Sequence, residues 1–283
     1  MSRRSAEPAG EDRPGALESA ADTAEGMANS PVLDVAARFG FAVTGLVHIL
    51  IGAIALGIAF GGKGEADPSG AVQLLADQPA GPWLLWAGSA GCSALSLWQL
   101  GEATVRARHL QGLARIAKGF SSGGLVVAYG ALAFMLLRFA LGERSHSRRS
   151  SRDVTAVILG WSGGVLLLVA VGLAVIGVGI YFGVKAVTRR FQQELHFPHS
   201  KRGKLLTVLG VVGHLAKGLA LVLVGLLVVI ASVEHRPDES TGLDGGLRAL
   251  TDQPYGEYVL SAIGLGLICY GVFAAVRARY GRM

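Results

Sequence analysis

Charge is scarce in this chain. Asp, Glu, Lys and Arg make up 16% of its 283 residues, against ~25% in an ordinary soluble domain. Together with a mean hydropathy of +0.48, that excludes a disordered polyelectrolyte, a coiled coil and a basic nucleic-acid-binding domain. Cysteine is nearly absent. Cys92 and Cys269 both lie in apolar stretches, too few for a disulfide framework or a four-ligand zinc site. There is no phosphate-cradling glycine loop followed by Lys-Ser/Thr, no His-Glu-x-x-His and no Gly-x-Ser-x-Gly, so the familiar catalytic motifs are missing. No apolar run holds a pair of carboxylates. An enzyme reading has nothing to attach to, and neither a cofactor nor a metal is expected.

What the chain has instead is apolar surface. Non-glycine apolar residues make up 51%, with 41 glycines besides; an ordinary domain reaches ~45–50% with glycine included. Six long apolar runs stand out: 39–62, 78–101, 119–137, 155–183, 205–233 and 258–276. Each is about the ~20 residues a membrane-crossing helix needs, and none shows the polar stripe of a surface helix. Six spans are expected. Residues 1–36, rich in Ala, Glu, Gly, Asp, Ser and Pro, read as a disordered tail without a signal peptide.

Lys and Arg between the runs set the orientation. Seventeen fall on the side of both termini and eight on the other. The bias predicts a plasma-membrane protein with both termini cytoplasmic. Arg144, Arg148, Arg149 and Arg152 in the third connection run against it. The basic cytoplasmic segment from His196 to Lys204 is expected to touch anionic lipid headgroups.

Self-comparison is more informative than motif search. Odd-numbered runs open alike, with Gly40, Gly45-Leu46; Gly119, Gly124-Leu125; and Gly213, Gly218-Leu219. Among the even runs, Asp77-Gln78-Pro79-Ala80-Gly81 parallels Asp252-Gln253-Pro254-Tyr255-Gly256, and Val105-Arg106-Ala107-Arg108 parallels Val276-Arg277-Ala278-Arg279. The middle copy lacks the Asp-Gln-Pro turn but keeps Gly172-Leu173, Ile176 and Gly179, matching Gly264-Leu265, Ile268 and Gly271. Three tandem two-span units follow, over 37–110, 111–198 and 199–283. They are parallel repeats, and pseudo-threefold packing about the membrane normal is expected, with the glycines bringing helices close. Short helices are expected at Ser69–Ala76, capped by Ser69, and at Thr241–Thr251. Asp77 and Asp252 would then mark turns into the next span.

These repeated hairpins, turns and basic ends resemble an actinobacterial three-repeat membrane family, catalogued as domain of unknown function 1206. The resemblance covers about residues 37–280. It implies an all-α, six-span protein and no established activity.

A few residues break the apolar pattern. Lys217 is an intramembrane charge, a functional candidate by default. Its counterparts are Thr44 and Gly123. A helix starting near Leu205 puts it ~18 Å deep, whereas one starting near Val211 puts it ~9 Å deep, within snorkelling reach. Glu102 is a candidate ion-pair partner, with Arg106 as the local alternative. His214 shares a face with Lys217. Measured from the shared glycines, His48 and His214 are offset by about seven residues, ~10 Å, too far for one haem to bridge.

The expected function is that of a non-enzymatic scaffold, structural or binding lipid or another membrane protein. The alternative is a small transporter or channel that passes an anionic solute near Lys217. Nucleic acid is not an expected partner.

Overall fold

The computed structural model describes residues 31–108, 113–144, 147–194, 201–236 and 242–280. Side chains are described at these positions except 31–32, 101–108, 113–122, 147–148, 193–194 and 201–202. Every regular element among the described residues is helical. They are α1 (Pro31–Ala59), α2 (Pro68–Ala76), α3 (Gly81–Arg108), α4 (Leu113–Ala140), α5 (Ser147–Leu159), α6 (Gly164–Val187), a 3₁₀ turn (Arg190–Glu194), α7 (Lys201–Val233), α8 (Gly242–Arg248) and α9 (Gly256–Tyr280).

Five of these are long and apolar enough to cross a membrane: Leu33–Ala59, Gly123–Ala140, Gly164–Val187, Gly203–Val233 and Gly256–Tyr280. The sixth expected span forms α3, 28 residues long. Its Trp83, Trp86 and Trp98, three serines and Gln99 make it the least apolar of the six.

Three sequence expectations need correction. The tail ends sooner than expected: α1 starts at Pro31, whose ring suits the first helical position, with Asp34 in the first turn and Ala37 fully buried. The 155–183 run is two helices. It breaks between Leu159 and Gly164, where Gly163 takes a φ of 95°, open to glycine. The middle unit therefore keeps a turn without Asp-Gln-Pro. The three turns also share a steric device, since a Cβ on Gly81 would lie 2.7 Å from the Leu75 carbonyl oxygen, and one on Gly164 or Gly256 would overlap that of Ile158 or Leu250. Finally, α2 is capped by Asp67, not Ser69. Pro68 has no N–H to satisfy, which moves the helix start upstream, and the Ser69 hydroxyl donates to Asp67 Oδ1 at 2.7 Å. Thr241 lies outside the described residues, so α8 is described only from Gly242.

The closest partner of each long helix belongs to another repeat. The most extensive interfaces are α1–α9, α6–α7 and α3–α4, followed by α1–α3 and α7–α9. Glycine pairs form two of the seams. Across α1–α9, a Cβ on Gly45 would come within 2.6 Å of the Gly271 carbonyl oxygen, and one on Gly52 would overlap that of Gly264. Across α6–α7, Gly179 and Gly218 stand in the same relation at 2.6 Å, and a Cβ on Gly225 would lie 2.7 Å from the Gly172 oxygen. The seam is a Gly-x6-Gly on each of two antiparallel helices. In α3–α4, Ser89 and Ser96 replace the glycines, and their hydroxyls donate to the Ala133 and Val126 carbonyls at 3.0 and 2.9 Å. In lipid such contacts carry association that a hydrophobic drive cannot.

The short helices form one end of the bundle. α2 packs on α1, α3 and α4, α5 on α6 and α8, and α8 on α7. Asp244, fully buried, fastens α8 to the loop that leads into α2. It accepts from the Ala66 amide at 2.8 Å and pairs with Arg248 at 3.1 Å, and Arg248 also donates to the Gly64 carbonyl. Arg144, which ran against the charge bias, pairs with Asp77 at 3.3 Å, and Arg138 near it pairs with Glu143 at 2.5 Å.

Asp67 sits beside this fastening, 1% exposed. Its Oδ1 accepts from Ser69 and from the Gly70 amide, while Oδ2 has no partner among the described residues. Burial raises its pKa, Gly70 and Ser69 pull it back, and Glu65 and Asp244 push it up again. The folded state therefore holds this proton more tightly than the unfolded one, so stability falls as pH rises from the ordinary carboxylate range through the raised value. Asp67→Asn keeps the cap and removes the titration. Melts at pH 4 and pH 7 should show the variant gaining on the wild type at the higher pH. An unchanged difference between the two pH values rejects this account.

Candidate functional site

Lys217 is near the centre of α7, 16 residues from each end, or ~24 Å along the helix. The helix starts at Lys201, upstream of the Val211 start on which the ~9 Å placement rested. Successive residues turn 100°. Lys217 thus points away from Val208, Leu215, Leu219 and Leu226, the exposed stripe of α7, and into the bundle.

There it meets aromatic rings. Its Nζ donates to the Tyr270 hydroxyl at 3.0 Å and lies 4.2 Å from the Tyr270 ring centre and 5.0 Å from that of Phe182. Ring faces of this kind stabilise a desolvated cation by up to ~2 kcal/mol each. Among the described residues, no carboxylate pairs with it. Glu102 lies in the last turns of α3, and its side chain is outside the described residues.

His214, one turn earlier, is buried. Its ring stacks on Phe191 at 5.0 Å and meets Tyr270 and Phe273 edge-on at 5.2 Å. Phe191 belongs to the 3₁₀ turn after α6 and covers Gly210, which has no side chain to displace it. His48 packs on Tyr270 at 4.7 Å. Both histidines bond through Nδ1 to the carbonyl four residues earlier, Gly210 at 2.7 Å and Thr44 at 2.8 Å. A carbonyl only accepts, so Nδ1 carries the hydrogen in each. The expected depth offset between the two rings is corrected here. Gly213 and Gly45 both pack at the level of Tyr270–Gly271, so the rings share a level and Tyr270 touches both.

The structure thus gathers Lys217, His214 and His48. Asp77 and Asp252 are elsewhere, exposed at turns. Asp77 caps α2 and accepts from Gln73 at 3.0 Å. Sequence reasoning missed Tyr270, which bridges the cluster. The repeat comparison contains it: Tyr270 aligns with Leu95 and Val178, so it breaks the pattern in the same repeat as Lys217.

Apolar spanning helices, glycine seams and an inward cation in an aromatic setting define a multi-pass helical membrane protein. A family model described as Domain of Unknown Function (DUF1206) matches residues 39–106, 120–189 and 212–281. The chain belongs to this family. It is similar to the uncharacterized protein YxxB of Bacillus subtilis (strain 168), with 30% identity over 254 residues, covering 87% of this chain and 90% of that one. No solved structure matches.

Proposed function

We propose that this protein is a non-enzymatic scaffold of the plasma membrane that binds a ligand carrying an anionic group at Lys217. In this reading α3 is the sixth span, the three repeats are arranged with pseudo-threefold symmetry, and both termini are cytoplasmic. The basic ends then rest on anionic headgroups. A membrane-protein partner would dock on the lipid-facing surface.

The observation that carries the reading is the inward lysine. A charge inside a membrane bundle is costly. Here a hydroxyl and two ring faces orient the ammonium, and none of them neutralises it. An anion would. Transport of an anionic solute is the second reading, favoured by the central position of Lys217 along its helix.

Native mass spectrometry of the protein released from mild detergent tests the binding. The wild type should retain an anionic mass, Lys217→Arg should keep it, and Lys217→Met should lose it. One charge-assisted hydrogen bond contributes ~1.5–3 kcal/mol, so affinity should fall ~10- to 150-fold. A wild type that carries no such mass, or a Met variant that keeps it, overturns the reading. Uptake into proteoliposomes that depends on Lys217 would favour the carrier.

A further inference from the structure

Going round the bundle in the order α4, α3, α1, α9, α7, α6, each helix packs on the next. The joint that would close the ring, α6 to α4, has no comparable interface among the described residues. These are the two spans of the middle repeat, and they are the least buried. Only 17% of the α6 span and 22% of the α4 span is buried, against 50% for α1. The bundle is open on one side, within the span region.

Behind this gap the face of α7 that turns toward the bundle is partly accessible. Lys217, Leu221, Val224 and Val228 form the inward stripe of α7, and all four are only half-buried. The stripe extends from the cation for 11 residues, ~16 Å at the helical rise. Lining the mouth are Gly124 and Ala128 of α4 and Val171 and Val178 of α6, all exposed.

We propose that the opening between α4 and α6 admits an anionic phospholipid from the surrounding bilayer, its phosphate at Lys217 and an acyl chain along the α7 stripe. This rests on the reading of Lys217 as an anion site and adds the ligand class and its route. The charge selects the head, while the apolar stripe distinguishes a lipid from a water-borne anion. A side opening suits a ligand already dissolved in the membrane.

The test titrates the full-length protein in neutral detergent with dioleoyl phosphatidylglycerol, dioleoyl phosphatidylcholine or glycerol phosphate, counting adducts by native mass spectrometry. Phosphatidylglycerol should bind at least tenfold more tightly than phosphatidylcholine, and Lys217→Met should abolish the difference. Ala128→Trp with Val178→Trp, at exposed positions where the fold tolerates bulk, should obstruct the mouth and reduce phosphatidylglycerol binding by a similar factor with Lys217 intact. If glycerol phosphate binds as tightly as the lipid and the double tryptophan variant changes nothing, the side route is wrong while the anion site stands. If Lys217→Met leaves lipid preference unchanged, both fall.

Discussion

Gly52→Leu should strip the bundle of its central seam. The Cβ of any residue at this position overlaps the Gly264 carbonyl and comes within 3.0 Å of the Ile268 amide nitrogen. Both are backbone atoms of a helix that itself packs on α7, so neither moves alone. Overpacking typically costs 1–3 kcal/mol. With backbone on both sides, we expect the upper end, about 3 kcal/mol, a drop of roughly 6–12 °C in Tm at this size. Gly57→Leu is the matched control, because nothing lies within 4 Å of its Cβ. Thermal unfolding in detergent, followed by tryptophan fluorescence, compares the two. Equal melting temperatures would remove the seam from the account of stability.

Asp244→Ala should be the second large loss. It leaves the Ala66 amide without its acceptor and Arg248 without its carboxylate. Breaking a buried pair from one side costs ~3–5 kcal/mol. Arg248 is 36% exposed and water recovers part of that, so about 2–3 kcal/mol is expected. Asp244→Asn keeps an acceptor for Ala66 and should lose roughly half as much. Protease nicking of the 60–66 loop, which α8 holds through this carboxylate, should rise in the Ala variant and little in the Asn one. A loop equally protected in both would mean the fastening is incidental.

The long helices were legible because a bilayer demands long apolar runs, and runs are visible one residue at a time. The turn inside 155–183 was hidden for the same reason. Gly160, Trp161, Ser162, Gly163 and Gly164 look as apolar as a span, and only the positive φ at Gly163 distinguishes them. The odd-span glycines Gly45 and Gly218 were noticed as repeat markers. Their partners Gly52 and Gly225 were not, and it is the seven-residue spacing that makes them a seam. Lys217 and His214 stood out as polar residues among apolar ones. Their setting did not, since it depends on Tyr270 and Phe273 arriving from another helix and on Phe191 from a turn, a juxtaposition that linear spacing does not encode. Nothing in the linear sequence marks Asp67 and Asp244 as buried; their burial comes from α2 and α8 folding down onto the bundle.

The pairing of α1 with α9 also has a consequence for biogenesis. Arg38 donates to the Ala278 carbonyl, 240 positions along the chain. At a synthesis rate of ~5–20 residues per second, α1 waits ~12–48 s in the membrane before the helix that covers its seam exists. Throughout that interval Gly45 and Gly52 lack the backbone they pack against in the finished fold. A product truncated before α9 would lack Gly264 and Gly271, the partners of this seam.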